Sequence, residues 1–360
     1  MPTNQTQLTT QNQPSRLAMV DIIRVMLAIL MISYHSWIQL SQKITGEDLS
    51  AGYIAVEAFF IMSGFFLAKS AYKQDAPTWY RYTWRKLWAY LPLLIITVLF
   101  GVVSLGASSL IYMNVHTQPL VNVFGCSWFM WFLFICGAFI FPITKHTKQK
   151  FMIPALVIGI GCYVGLYFLN HTIPYFNTSD PFWKLSVYGF TTAFLRGTGG
   201  LFLGTFIYGC YTKLKDKNIP LVVQITLSII AILAGLASIF VMFIYTRTAW
   251  DFAVVGLFFI FFFVLLTNIG AISKRVVLPN NVCKNMGQIT FVVYICHWVV
   301  IGFMGVFGKH DPTLLDQSWF LALYGIICYA GSIGLAIAVE AINRVLKKKL
   351  LCKCKRLNSI

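Results

Sequence analysis

The sequence predicts an all-α integral membrane protein, a single bundle of about ten transmembrane helices with both termini in the cytoplasm. Three observations predict it. The 360 residues are 58% hydrophobic and 11% charged, with a mean hydropathy of +0.74, whereas soluble domains carry about 25% charged residues. Apolar stretches near 20 residues recur along the chain, each long enough to cross a hydrocarbon core of about 30 Å. The cations divide unevenly between alternate loops. Backbone polar groups in lipid must be satisfied internally, so the stretches are read as helices. The short alternating segments of a membrane β-barrel are absent from the sequence.

The spans fall at roughly 18–40, 52–71, 87–106, 123–143, 151–169, 187–210, 220–245, 251–269, 288–308 and 319–340. Residues 1–15 are polar, rich in Gln, Thr and Asn, and are expected to be disordered. No cationic start precedes a cleavable apolar core, and the first span is expected to be retained. The spans and their loops form one domain over 16–343, followed by a basic cytoplasmic tail over 344–360. The inverted halves of many transporters find no counterpart here.

Orientation follows from the loops. Arg16 precedes the first span. Lys73, Arg81, Arg85 and Lys86 lie between the second and third, Lys145, Lys148 and Lys150 between the fourth and fifth. Lys213, Lys215 and Lys217 follow the sixth, and Lys274, Arg275 and Lys284 follow the eighth. The tail adds Arg344, Lys347, Lys348, Lys349, Lys353, Lys355 and Arg356. That places 21 cations on one side against four on the other: Lys43, Lys184, Arg247 and Lys309. Cytoplasmic loops are enriched in Lys and Arg, so this side is assigned to the cytoplasm. The net charge of +17 is then a topological signal, and no nucleic-acid partner is expected.

The nine cysteines show no metal or disulfide spacing. Cys126, Cys136, Cys162, Cys210, Cys296 and Cys328 lie within apolar runs, where they act as small apolar residues. Cys352 and Cys354 sit in the basic tail and are read as free thiols. No metal site is expected.

Charges inside the spans are costly, which makes each a functional candidate. Arg24 and His35 are eleven helical steps apart, roughly 16 Å along the axis. Arg24 therefore lies in the cytoplasmic half and His35 in the outer half. Glu57 enters from the outside on the second span at about the depth of His35, and depth alone predicts that the two pair. Such a carboxylate would hold the imidazole tautomer and raise its basicity. Arg196 and His297 lie near the middle of the sixth and ninth spans. A single such residue can equally be an interhelical hydrogen bond that holds packing, and several at compatible depths favour a site. Gly161–Gly165 and Gly200–Gly204 read as small-residue packing between helices. Arg81, Arg85 and Lys86 share one face if their segment is helical, an anion site in outline, although cytoplasmic loops are basic on topology alone.

These residues resemble acyltransferase family 3. Arg24-x10-His35 looks like its first-span signature, and Val56-Glu-Ala-Phe-Phe-Ile-Met-Ser-Gly-Phe65 is similar to its second-span pattern. Arg81 to Pro92 resembles its Arg-rich cytoplasmic segment. Ser127-Trp-Phe-Met-Trp-Phe-Leu133 looks like its Trp-Phe motif, and Arg196-Gly197 with Phe202-Leu-Gly204 like its mid-chain Arg element. Gly287-Gln-Ile-Thr-Phe-Val-Val-Tyr-Ile-Cys-His297 resembles its late motif, and Glu340 holds the place of its final acidic residue. The matches run in order from Asp21 to about Glu340. Two departures stand out: Thr290-Phe291 replaces Ser-Tyr, and the cationic segment is spaced Arg81-x3-Arg85-Lys86. The esterase-like extra domain of longer relatives is not expected after the tenth span.

The resemblance implies an O-acyltransferase, EC 2.3.1, in the bacterial plasma membrane. It would move an acyl group, usually acetyl, from cytoplasmic acyl-CoA to a hydroxyl of an extracytoplasmic glycan. The expected partners are the bilayer, the glycan acceptor and acyl-CoA as donor substrate, with no resident cofactor. Arg81, Arg85 and more weakly Lys86 would hold the CoA phosphates, with Arg24 deeper along the acyl-carrying arm. His35 and Glu57 would be catalytic, His35 either as general base or as acyl-imidazole carrier. Ser127, Trp128, Arg196 and His297 would line the tunnel or the acceptor site. His-x4-Asp is absent, against a glycerol-phosphate acyltransferase type. The alternative class is a transporter or flippase for a glycan or lipid-linked sugar, against which the lack of repeats and the clustered Arg-His-Glu signature weigh.

Overall fold

The computed structural model describes residues 18–44, 54–111, 128–170, 187–244, 250–276 and 278–357. The polar N-terminal segment and Ser127 lie outside these residues. Among the described residues ten long helices make up the bundle: α1 (Ala18–Ile44), α2 (Ala55–Ala71), α3 (Trp79–Ile111), α4 (Trp128–Thr147), α5 (Met152–Asn170), α6 (Val187–Leu214), α7 (Leu221–Ile244), α8 (Trp250–Thr267), α9 (Asn280–His310) and α10 (Ser318–Leu357). A five-residue helix, Ala271–Arg275, links α8 to α9, and no strand occurs among the described residues. Among the described residues seven helical stretches are long and apolar enough to cross a membrane. One of them, Trp128–Leu169, holds both α4 and α5. α2 falls short at 17 residues, and α6 is diluted by glycines, threonines and Arg196.

Three boundaries differ from the sequence reading. α3 begins at Trp79, eight residues before the expected span, because its first turns are amphipathic rather than apolar. α9 begins at Asn280, also eight residues early. α10 continues to Leu357 through the segment expected to be a tail, since Lys, Leu and Arg are strong helix formers. Pro92 and Pro142 lie inside α3 and α4. Each removes one backbone donor, a loss that membrane helices tolerate through neighbouring partners. Asn268 closes α8 with φ 58°, a left-handed cap that asparagine adopts more readily than most residues.

The tightest packing is between α2 and α6. A Cβ on Gly64 would land on the Leu201 carbonyl, one on Gly204 on the Ile61 carbonyl, and one on Gly200 against Phe60. Only glycine lets these backbones meet. The expectation for Gly200–Gly204 is met, whereas that for Gly161–Gly165 is corrected: a Cβ at either position meets nothing within 4 Å. α1 packs on α9 and α9 on α10, and the Ser33 and Tyr329 hydroxyls hydrogen-bond between α1 and α10. At the end of the bundle where α2 turns into α3, Lys145 donates from α4 to the carbonyls of Ala76 (2.7 Å) and Pro77 (3.1 Å).

Candidate active site

That end of the bundle opens into a cavity of about 890 Å³. Its walls come from the start of α1, the end of α2, the start of α3 and the end of α6. They carry Arg24, Lys69, Lys73, Lys86 and Lys215, with Asp21 the one acidic side chain. Asp21 is buried and accepts from Arg24 at 2.9 Å. Arg24 also lies over the Phe66 ring at 4.8 Å. The remaining lysines leave a cluster of donors suited to a polyanion.

Helix phase decides which α3 cations join it. Tyr82, Lys86 and Tyr90 recur every fourth residue and face the cavity, with the Lys86 ammonium 5.8 Å from the centre of the Tyr82 ring. Arg81 and Arg85 belong to another face. They are exposed and do not line the cavity. Trp84 and Trp88 share that face, 58% and 51% exposed. The shared face expected for Arg81, Arg85 and Lys86 is thus corrected by the rotation of α3. Lys73 and Lys215 were counted in the sequence only as topology signals.

A second cavity, about 300 Å³, shares Arg24, Ser63, Tyr90 and Leu133 with the first. Phe59, Phe129 and Tyr294 form another part of its wall. Their rings contact one another, with Tyr294 5.7 Å from Phe59 and 5.4 Å from Phe129 between centroids. Tyr294 is in turn 6.0 Å from the His297 ring.

Beyond Tyr294 lies a histidine pair. His35 of α1 and His297 of α9 stack with centroids 5.1 Å apart and planes at 29°. Trp298 closes on His35 at 4.5 Å. His297 Nδ1 lies 3.2 Å from the Val293 carbonyl. A carbonyl can only accept, so the proton sits on Nδ1 and leaves the Nε2 lone pair open. His297 Nε2, His35 Nδ1 and the Trp298 indole nitrogen are all buried without a hydrogen-bond partner. Buried polar atoms are nearly always paired, so three orphans in one contact group mark a place for a ligand's polar atoms. Trp298 was not singled out in the sequence. An indole beside a candidate histidine on the same helical turn was the available signal.

Glu57 does not pair with His35. Its carboxylate accepts from Arg196 Nε at 2.5 Å and from the Tyr163 hydroxyl at 2.6 Å. Arg196 is 1% exposed and Glu57 is fully buried. The Arg196 guanidinium also lies over the Trp128 ring at 4.8 Å. Depth placed Glu57 level with His35, but its side chain leaves α2 toward α5 and α6 rather than toward α1. Glu57, Trp128, Tyr163 and Arg196 thus tie together α2, α4, α5 and α6. Among the described residues no group of three or more His, Cys, Asp or Glu side chains is arranged to hold a metal ion.

The family model described as an acyltransferase domain, that of acyltransferase family 3, matches residues 17–339. The chain belongs to this family, and the match takes in both cavities' principal walls and the histidine pair. No curated protein and no solved structure matches it.

Proposed function

We propose that this membrane acyltransferase is an O-acyltransferase, in its simplest form an O-acetyltransferase. It would take an acyl group from cytoplasmic acyl-CoA and place it on a hydroxyl of an extracytoplasmic glycan. The observation that carries the reading is the sequence of chemistries along the bundle: a lysine-rich cavity, a narrower chamber behind Arg24, and a pair of imidazoles with open nitrogens. The polyanionic donor and the site of proton or acyl transfer are thereby given different depths. The charge bias of the loops puts the lysine-rich end in the cytoplasm. In this reading all ten long helices cross the plasma membrane of a bacterium and both termini are cytoplasmic.

Lys69, Lys73, Lys86 and Lys215 meet the CoA phosphates, with Arg24 behind them where the acyl-carrying arm turns inward. Two chemistries fit the histidine pair. In the first, His35 accepts the proton of the glycan hydroxyl as its oxygen attacks the thioester carbonyl. The tetrahedral intermediate collapses, the C–S bond breaks, and the thiolate takes the proton back. In the second, His35 attacks the thioester itself, releases CoA thiol, and passes the acyl group to the hydroxyl. His297, with its tautomer held by Val293, supports either route by facing His35 across the stack. Arg196 and Trp128 act one step removed, by holding α2 and α4 where they frame the chamber.

Membrane vesicles given acetyl-CoA labelled in the acetyl group provide the test. The expected result is label on an extracytoplasmic glycan, dependent on the intact protein. A glycan that crosses the bilayer without ever acquiring label would replace this reading with a transporter.

A further inference from the structure

Asn343 on α10 lines the smaller cavity and is 2% exposed. Its Nδ2 donates to Glu340 Oε2 at 3.2 Å. Only the amide nitrogen can donate to a carboxylate, which settles the orientation of the side chain. Asn343 Oδ1 is then a buried acceptor without a partner. Glu340 needs nothing further, because Arg344 Nε donates to its other oxygen at 2.9 Å. A buried amide carbonyl left unpaired is unfavourable, and a ligand with an N–H at that point relieves it.

The rest of the chamber narrows the ligand. It joins the lysine-rich cavity through Arg24, Ser63 and Tyr90, so the ligand continues into a polyanion. Apolar walls at Met62 and Leu93 suit methyl and methylene groups. Tyr294, also in the wall, touches His297. A flexible arm with amide N–H groups, aliphatic segments, a phosphate at one end and a thioester at the other has all these features. We infer that the smaller cavity seats the pantetheine arm of the acyl donor, with Asn343 Oδ1 accepting an amide N–H of that arm. The inference rests on the acyl-CoA reading above. Arg24 marks the junction between phosphates and arm, and Tyr294 marks where the thioester reaches the histidines.

Two probes separate the inference from the reading beneath it: CoA, and 3′-phospho-ADP, which keeps the phosphates and lacks the arm. Binding is measured on the full-length protein in nanodiscs. The wild type binds CoA more tightly than 3′-phospho-ADP. Asn343→Leu weakens CoA about tenfold, the loss expected for one hydrogen bond of about 1.4 kcal/mol, and leaves 3′-phospho-ADP unchanged. Thr290→Phe narrows the same cavity from α9 and gives the same selective loss, a second route should Asn343→Leu fail to fold. A thermal midpoint near the wild-type value is the check on folding in both variants. CoA affinity unchanged in both variants, or equal losses for the two probes, overturns the inference while the acyl-CoA reading stands. A wild type that binds neither probe removes the acyl-CoA reading and the inference with it.

Discussion

Two buried polar clusters occur in this bundle, and they differ in what they leave open. Around Glu57 both carboxylate oxygens are taken, by Arg196 and Tyr163, and the guanidinium rests on Trp128. Around His35 the imidazoles touch each other and Trp298, but three of their nitrogens face no partner. A buried ion pair with its hydrogen bonds made needs no ligand to explain it. Orphaned nitrogens in the same low-dielectric interior do. The first cluster ties four helices together, and the second leaves nitrogens open, which is why the proposed chemistry is assigned to it. Had all of these ionisable residues been equivalent, both clusters would share one character.

Substitutions at each cluster sharpen the contrast. His297→Phe keeps an aromatic ring against His35 and removes the open Nε2. Acyl transfer should fall by about 10²–10⁴-fold, the usual weight of an acid–base group, while the thermal midpoint in detergent changes little. Unaltered transfer would return His297 to a packing role. Arg196→Ala should do the reverse. Leaving Glu57 buried and unpaired costs about 3–5 kcal/mol, which will be read as a large loss of folded protein on size exclusion. Tyr163→Phe, which removes one hydrogen bond to the same carboxylate, should cost about 1.5–3 kcal/mol with transfer per folded molecule preserved. A rate loss in Tyr163→Phe without a stability loss would merge the two clusters into one site.

The donor end gives a smaller, internal comparison. Lys86→Ala should raise KM for acyl-CoA about tenfold, whereas Arg81→Ala should leave it within about twofold, because Arg81 faces away from the cavity. Equal effects from both would mean that the Arg81 face, not the Lys86 face, meets the donor. The smallest effects belong to the glycines. Gly161→Ala should change stability by no more than about 0.5 kcal/mol, since its Cβ meets open space. Gly204→Ala must push α2 from α6 and should cost at least about 1–3 kcal/mol. Thermal shift of the two variants side by side checks this.

What the sequence disclosed and what it hid divide along one physical line. Helix positions were legible because lipid demands long apolar runs, and the expected spans overlap all ten long helices. Rotation about the helix axis was not. In a soluble helix the polar face points to water, but here core and lipid are both apolar, so periodicity carries little information about which side faces inward. Glu57 was therefore placed on the right helix and given the wrong neighbour. Arg81, Arg85 and Lys86 were placed in the loop before the third span and given one face, whereas α3 takes them in and turns them to two. Asn343 stayed hidden because the apolar run of the tenth span ends at 340, while α10 continues and carries it into the chamber wall. His35 and His297 came together through the packing of α1 on α9, which 262 positions of sequence separation do not reveal.

The central claim is that the acyl group passes through the His35 end of the bundle while the Glu57 cluster only holds it in place. The direct measurement is transfer of labelled acetyl from acetyl-CoA by His35→Ala protein in membranes, normalised to folded protein and set beside wild type. The account predicts a loss of at least about 10²-fold, with CoA binding and thermal midpoint unchanged. Transfer at the wild-type rate would contradict it.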